Sequence, residues 1–478
     1  MYSAARSVLA ATLALGLAWP VVRGMSRWGP ARRRMGWGLL ACVALTPVLL
    51  VGYAYGPLGG SLARWPVMNQ GLGVLLLAGR CLPLVALVWL CAPEGELSPA
   101  GWWLWRRARV EGRGLWPRLG ALGVALRGPW RRPAGAWALG ALLAFQDFEL
   151  VSLLGVRPQA WTERLFDLQA LGPTLGETLR LAVVPALVAW APGAWVAVSW
   201  GRGSLASAVA GRGSAIRAAG AQGFAADCLA WGALGLAFGL MVAWPLARVA
   251  LDSGAAWGSP AMWAQAWPAV GASVGYGVAG AFGAWGLVVL GGRLPARWRG
   301  VAGLAVSLPG LAGSLVIAVG SLALWNLGVM RPLYDTPAPL TAALVLQLLP
   351  WAVLLDGLVS RGVAGQAVHA ARLLAAGGTA RARGEGVGLL WRLAWGPRFA
   401  AGSVLFCIAY ADLASTALLH PSGTAPAPVL LYNLMHYGRT GTLSAMVLIV
   451  ALAPMLVIVL ARACVAAWVG PLGRARWS

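Results

Sequence analysis

The chain has 478 residues, of which 59% are hydrophobic and 11% are charged, and its formal net charge is +23. Soluble domains contain about 25% charged residues, so this composition excludes a soluble globular protein and indicates a membrane protein. The arginines lie in a few segments between apolar runs, with no soluble domain left to hold an acidic ligand, which excludes a nucleic-acid-binding protein.

Eleven apolar runs follow one another along the chain. Each is roughly 18–25 residues long, the length that crosses the ~30 Å hydrocarbon core of a bilayer. They lie near 7–23, 36–55, 72–92, 135–156, 178–200, 226–250, 268–291, 300–327, 338–358, 399–419 and 443–466. We therefore predict an all-α, polytopic transmembrane helical bundle with about eleven spans.

The arginines predict the orientation of these spans, because basic loops stay in the cytoplasm. They cluster in alternate loops, 24–35, 93–134, 201–225, 292–299 and 359–398, and in the C-terminal tail. The opposite loops are poor in arginine and contain Glu163, Asp167, Asp252 and Asp335. We therefore expect the N-terminus outside and the C-terminus in the cytoplasm.

The sequence also contains an internal repeat with an offset of about 262–268 residues. Four pairs of positions carry it: Pro47 and Pro309, Arg80–Pro83 and Gln347–Pro350, Gly128-Pro129 and Gly396-Pro397, and Asp147 and Asp412. Each copy holds five spans, and the span at 226–250 links them, so that both copies point the same way. The predicted domains are a first repeat at 1–225, a linking helix and outer loop at 226–267, and a second repeat at 268–478.

The loop segment GTARARGEGVGLLWRLAWGP, residues 378–397, resembles the cytoplasmic coupling loop of bacterial ABC-transporter permeases. That loop has an EAA-like triplet, three residues, a glycine, nine residues, an apolar residue, one residue and Leu-Pro. Its positions are held here by Gly378, Thr379, Ala380, Gly384, Ala394, Gly396 and Pro397, with the acid of the triplet lost and Leu replaced by Gly. We expect Gly384 to permit a bend or a close approach. Pro397 should end one helix and start the next.

The first repeat has a weaker copy of this loop. Gly128-Pro129 is retained, but Trp116 stands where the signature glycine belongs.

Most of the chain resembles the fused, two-repeat permeases of binding-protein-dependent importers, a group that includes ferric-iron and thiamine permeases. The residues that carry the likeness are Asp147-Phe148, Asp412-Leu413 and the run 431–437. The resemblance implies a permease in the bacterial inner membrane, with a cytoplasmic ATPase dimer and a periplasmic solute-binding protein as partners. It indicates ferric iron first and thiamine second as the solute.

The chain itself lacks the sequence features of a nucleotide- or metal-dependent enzyme. It has no GxxxxGK[ST] segment, so ATP should be bound by the partner subunit and no cofactor is expected in this chain. The six cysteines show no metal-ligand spacing, and no catalytic group of Ser, His and Asp is apparent. We predict neither a metal site nor a catalytic site.

Four polar residues within the spans are candidates for a translocation path: Arg80, Gln347, Asp147 and Asp412. Carboxylates in a bilayer cost about 2.5–3.5 kcal/mol on insertion scales and usually face a bundle interior or a cavity. We expect Arg80 to pair with Asp147. The alternative is a purely structural role as an ion pair that stabilises the bundle.

Two other functions remain open. A secondary transporter would show inverted repeats, broken helices and clustered intramembrane carboxylates. A membrane-embedded enzyme would require converging His, Asp or Glu side chains.

Overall fold

The structure is a computed structural model. It describes residues 2–92, 131–170, 175–201, 224–362, 365–377, 379–436 and 441–474, with 102–103, 106–107, 120, 122–126, 128 and 130 from the intervening loop. Across these residues the secondary structure is helical and contains no strand, which confirms the predicted all-α class.

Among the described residues before 202, eight helices have defined bounds. They are α1 (Tyr2–Arg27), α2 (Pro30–Leu45), α3 (Val48–Leu62), α4 (Pro66–Cys91), α5 (Arg131–Gln146), α6 (Glu149–Leu154), α7 (Trp161–Ala170) and α8 (Leu175–Gly201).

The later part of the chain begins with α9 (Phe224–Phe238), which continues through a π-helical turn (Gly239–Ala243) into α10 (Trp244–Ser253). The helices that follow are α11 (Pro260–Gly291), α12 (Ala296–Leu311), α13 (Ser314–Trp325), α14 (Ala338–Gly362), α15 (Gly365–Ala375), α16 (Ala380–Leu390), α17 (Gly396–Tyr410), α18 (Ala414–Leu419), α19 (Ala427–His436) and α20 (Gly441–Arg474).

Eight helices among the described residues are long and apolar enough to cross a membrane, or ten if each of two bent pairs is one span. The chain therefore has the helices of a multi-pass membrane protein, while the predicted count of eleven is not confirmed. The predicted span at 135–156 has no counterpart among the ten. There α5 ends at Gln146 after 16 residues, and α6 has only 6.

Two predicted straight spans, 36–55 and 300–327, are bent. Between α2 and α3 the chain turns by 72° at Thr46-Pro47. Proline lacks an N–H and disfavours helical backbone in the residue before it, so the bend lies where the sequence places Pro47. Between α12 and α13 the bend is 95°, and Gly313 adopts φ +101°, which strongly favours glycine.

The helices pack into two hydrophobic cores. One is built mainly from residues 10–242 and the other mainly from residues 249–451. In the first part, α1 packs against α4 and α5, and α3 packs against α6. In the second part, α11 packs against α14 and α17, and α13 packs against α18.

Two hydrogen bonds near the helix ends join segments that are far apart in the sequence. The Trp28 indole donates to Asp227 at 3.1 Å, which brings the segment after α1 to the start of α9. The Ser422 hydroxyl donates to Asp335 at 2.6 Å, which joins the segment before α14 to the one after α18.

Candidate functional site

A cavity of about 700 Å³ lies between helices of the two cores. Its walls come from α2, α4 and α5 on one side and from α12, α14 and α17 on the other. Most of the lining is apolar, for example Trp37, Leu84 and Trp351. Solute pockets commonly measure about 300–1,000 Å³ and combine apolar walls with a few polar groups, so this cavity has the size and character of a small-molecule site.

The first polar group in the cavity is the ion pair between Arg80 and Asp147. Arg80 lies in the middle of α4, and Asp147 lies where the chain breaks between α5 and α6. One Asp147 oxygen accepts from Arg80, and the other accepts from the Leu150 N–H at 2.9 Å, which caps the first turn of α6. The side chains are 28% and 1% exposed, respectively. The predicted pairing of Arg80 with Asp147 is therefore present.

The second polar group repeats this arrangement with a neutral donor. Gln347 on α14 donates to Asp412 at 2.9 Å, at the break between α17 and α18. The other Asp412 oxygen accepts from the Ser415 N–H at 2.9 Å and caps α18. All four predicted path residues therefore line one cavity.

Glu149 is a further charged residue of this cavity, and sequence reasoning missed it. It is 9% exposed, and its Oε1 accepts from the Leu413 N–H at 2.8 Å. This bond joins the α5–α6 break to the α17–α18 break. The available signal was a second carboxylate two residues after Asp147 in an apolar run, since intramembrane acids are usually functional or paired.

The charges around the cavity do not balance. Among the described lining residues, Arg80 is the one basic side chain, while Asp147, Glu149 and Asp412 are acidic. Arg80 is paired with Asp147 and also acts electrostatically on Glu149, whereas Asp412 has hydrogen-bond donors and no salt bridge in the described part of the chain. A positively charged solute or a proton would complement these groups.

The second candidate site is a helical hairpin formed by α15 and α16. Thr379 caps α16 by accepting from the Ala382 N–H at 3.3 Å. The two helices approach closely at Gly386, where an added Cβ would lie 2.2 Å from the Ala375 nitrogen. Gly386 therefore marks a close approach within the hairpin, at a position that sequence reasoning did not single out. Gly384 lies within α16 and is partly buried, and Gly378 lies outside the described residues.

The rest of the predicted coupling segment connects the hairpin to the cavity. After α16 the chain stays helical through a π turn (Trp391–Trp395), in which Ala394 is buried, and α17 begins at Gly396. Pro397 lies in the first turn of α17, inside a helix that runs from Ala382 to Tyr410, so it does not start a new helix. It does not end a helix, because the π turn before it accommodates the missing N–H. Pro397 also lines the cavity.

The weaker loop of the first repeat is only partly described. Gly128 lies in a turn before α5, where its N–H bonds to the Val124 carbonyl at 3.0 Å and its carbonyl accepts from the Arg131 N–H at 3.1 Å. Pro129, Trp116 and most of 93–127 lie outside the described residues. Ala380 begins α16.

Within the described residues no three His, Cys, Asp or Glu side chains are grouped in a way that would hold a metal ion. Comparisons with protein families, with curated proteins and with solved structures found no match to this chain.

Proposed function

We propose that this chain is the transmembrane permease subunit of an ATP-driven, binding-protein-dependent ABC importer. In this role the chain forms the solute path and carries no catalytic site. ATP is bound and hydrolysed by a separate cytoplasmic ATPase dimer, and a periplasmic solute-binding protein delivers the solute. The protein lies in the bacterial inner membrane with its N-terminus outside and its C-terminus in the cytoplasm.

One observation carries the proposal: the hairpin and the cavity share a helix. The chain leaves the α15–α16 hairpin, stays helical through the π turn, and follows α17 past Pro397 to Asp412. Pro397 and Asp412 both line the cavity. A displacement of the hairpin by a docked ATPase would therefore move one wall of the cavity and its carboxylate together.

Two repeats that point the same way are part of the proposal, and the helix contacts support the repeat itself. The contacts of α1 with α4 and α5 have counterparts in those of α11 with α14 and α17, and the α3–α6 contact has one in α13–α18. The bend at Pro47 corresponds to the one at Gly313, and the Arg80–Asp147 pair corresponds to Gln347–Asp412. The helices α9 and α10 then serve as the link between the repeats.

The solute is the least constrained part of the proposal. The resemblance indicates ferric iron first and thiamine second, and both are cations. The excess of carboxylates in the cavity suits a positive charge. The binding protein of the system would select the solute, so its pocket would identify it.

The test is docking of the ATPase to the hairpin. Leu373 on α15 is 62% exposed, outside the candidate spans, so an aspartate there changes the hairpin surface without disturbing a core. Co-purification of the full chain with its proposed ATPase partner should be lost in Leu373→Asp. It should be retained in Leu333→Asp, a residue 47% exposed in the segment before α14. Equal capture of both variants would refute hairpin docking.

A secondary transporter is the second candidate, because the cavity holds three carboxylates and two of its helices break beside them. Proteoliposomes separate the two functions. The importer requires ATP and the ATPase for uptake and is insensitive to a collapsed proton gradient. Uptake by the chain alone that follows an imposed proton gradient would favour the secondary transporter.

A further inference from the structure

A second, smaller cavity of about 130 Å³ lies between the end of α1 and the start of α9. Trp19, Arg23 and Arg27 line it from α1, and Asp227 and Leu229 line it from α9. It is separate from the cavity described above and shares no lining residue with it.

The back of this cavity is a fixed contact between the two helices. At Gly24 an added Cβ would lie 3.1 Å from the Ala230 Cβ, so α1 and α9 approach closely there. Trp28 stacks on Trp231 with ring centroids 4.3 Å apart and planes 8° from parallel. The walls are therefore held by packing, and the small cavity is not a gap between two mobile ends.

The charge of the cavity is positive. Asp227, the one acid among its described lining residues, accepts from the Trp28 indole through Oδ1, and its Oδ2 lies 3.8 Å from Arg32. Arg23 lies over the Trp19 ring, 4.0 Å from its centroid. Arg27 lines the same cavity. Arg23 and Arg27 bring two guanidinium groups to the cavity against one carboxylate, so basic side chains are in excess among its described lining residues.

The surroundings of the cavity are apolar and exposed. Trp19 is 47% exposed, and Leu229 and Leu236, two turns apart on α9, are 66% and 48% exposed. In a membrane protein such side chains face lipid, while arginines at the ends of spans lie at the level of the headgroups. Basic pockets between transmembrane helices bind the headgroups of anionic lipids, and aromatic rings hold the cation in place.

We propose that this cavity binds the headgroup of an anionic phospholipid. Arg23 and Arg27 contact the phosphate, and an acyl chain lies along Leu229 and Leu236. The bound lipid would fill the groove between α1 and the linking helix. The assignment does not depend on which transport mechanism the chain uses.

The experiment uses the delipidated full-length chain and native mass spectrometry to count bound phosphatidylglycerol, cardiolipin and phosphatidylcholine. Each basic residue near an anionic surface contributes about a factor of five in affinity, so Arg23→Gln/Arg27→Gln should weaken phosphatidylglycerol binding about thirtyfold. The control, Arg64→Gln/Arg331→Gln, removes the same charge from exposed positions elsewhere and should bind like the wild type.

A further variant and further ligands identify what is bound and check that the protein stays folded. Leu229→Asn should weaken lipid binding while leaving the arginines intact, and its unfolding temperature should stay near that of the wild type because Leu229 is exposed. Equal binding of phosphatidylcholine, equal loss in the control, or saturation of the site by inorganic phosphate at millimolar concentration would each overturn the lipid assignment.

Discussion

The Arg80–Asp147 pair offers a sharp test of the cavity, because the chain contains its neutral counterpart. Replacing Arg80 with leucine leaves Asp147, 1% exposed, with the Leu150 N–H as its remaining side-chain hydrogen bond among the described residues. Removing one partner of a buried pair costs about 3–5 kcal/mol, since the other charge stays buried and uncompensated. We expect Arg80→Leu to lower the free energy of unfolding by about this amount.

Arg80→Gln should cost less. A glutamine can donate to Asp147 as Gln347 donates to Asp412. This hydrogen bond to the carboxylate contributes about 1.5–3 kcal/mol and offsets part of the loss of about 3–5 kcal/mol in Arg80→Leu, so the expected loss is about 2 kcal/mol. In Arg80→Leu/Asp147→Asn the buried charge is gone, so this double variant should recover most of the stability lost in Arg80→Leu.

The assay is unfolding of the purified full-length chain in one detergent, followed by tryptophan fluorescence. Wild type should be the most stable, followed by Arg80→Gln and then Arg80→Leu. The control is Arg248→Leu, which removes a half-exposed ion pair of 3.2 Å with Asp252 and should change stability by less than about 1 kcal/mol. The reasoning is wrong if Arg80→Leu behaves like this control, or if adding Asp147→Asn restores nothing.

Three further predictions follow from single positions, all measured on the full chain. Gly59→Ala should lower the unfolding temperature, because its Cβ would lie 2.3 Å from the Leu154 carbonyl oxygen, while Gly60→Ala has open space and should not. Gly386→Ala should expose α16 to limited proteolysis, because its Cβ would meet Ala375, whereas Gly388→Ala should match the wild type; equal cleavage of both would contradict the packing. Hydrogen bonds from the Ser422 hydroxyl and N–H lower the pKa of Asp335. The contribution of Asp335 to the stability of the fold is therefore present above about pH 4, and it is lost as the pH falls through the lowered pKa of Asp335 in the folded protein. The difference in stability between wild type and Asp335→Asn should therefore disappear once the pH is below the folded pKa of Asp335. A difference that stays constant down to pH 2 would contradict this prediction.

The sequence alone determined the class of the protein and identified several polar residues of the cavity. Long apolar runs can only be buried in lipid or in a helical core, so the all-α membrane architecture follows from composition and length. Asp147, Asp412 and Arg80 stood out for the same reason, because a charge in an apolar run requires a partner wherever the run lies. The bend at Pro47 was also encoded locally, but the length rule counted 36–55 as one straight span.

Only the tertiary structure decided where these groups meet. Asp147 and Arg80 are 67 residues apart, Gln347 and Asp412 are 65 apart, and Glu149 and Leu413 are 264 apart. That Gly386 meets Ala375 of α15 depends on how α16 is rotated in the hairpin. Contacts between distant segments set these features, and no local propensity or hydrophobic period records which face of one helix will lie against another.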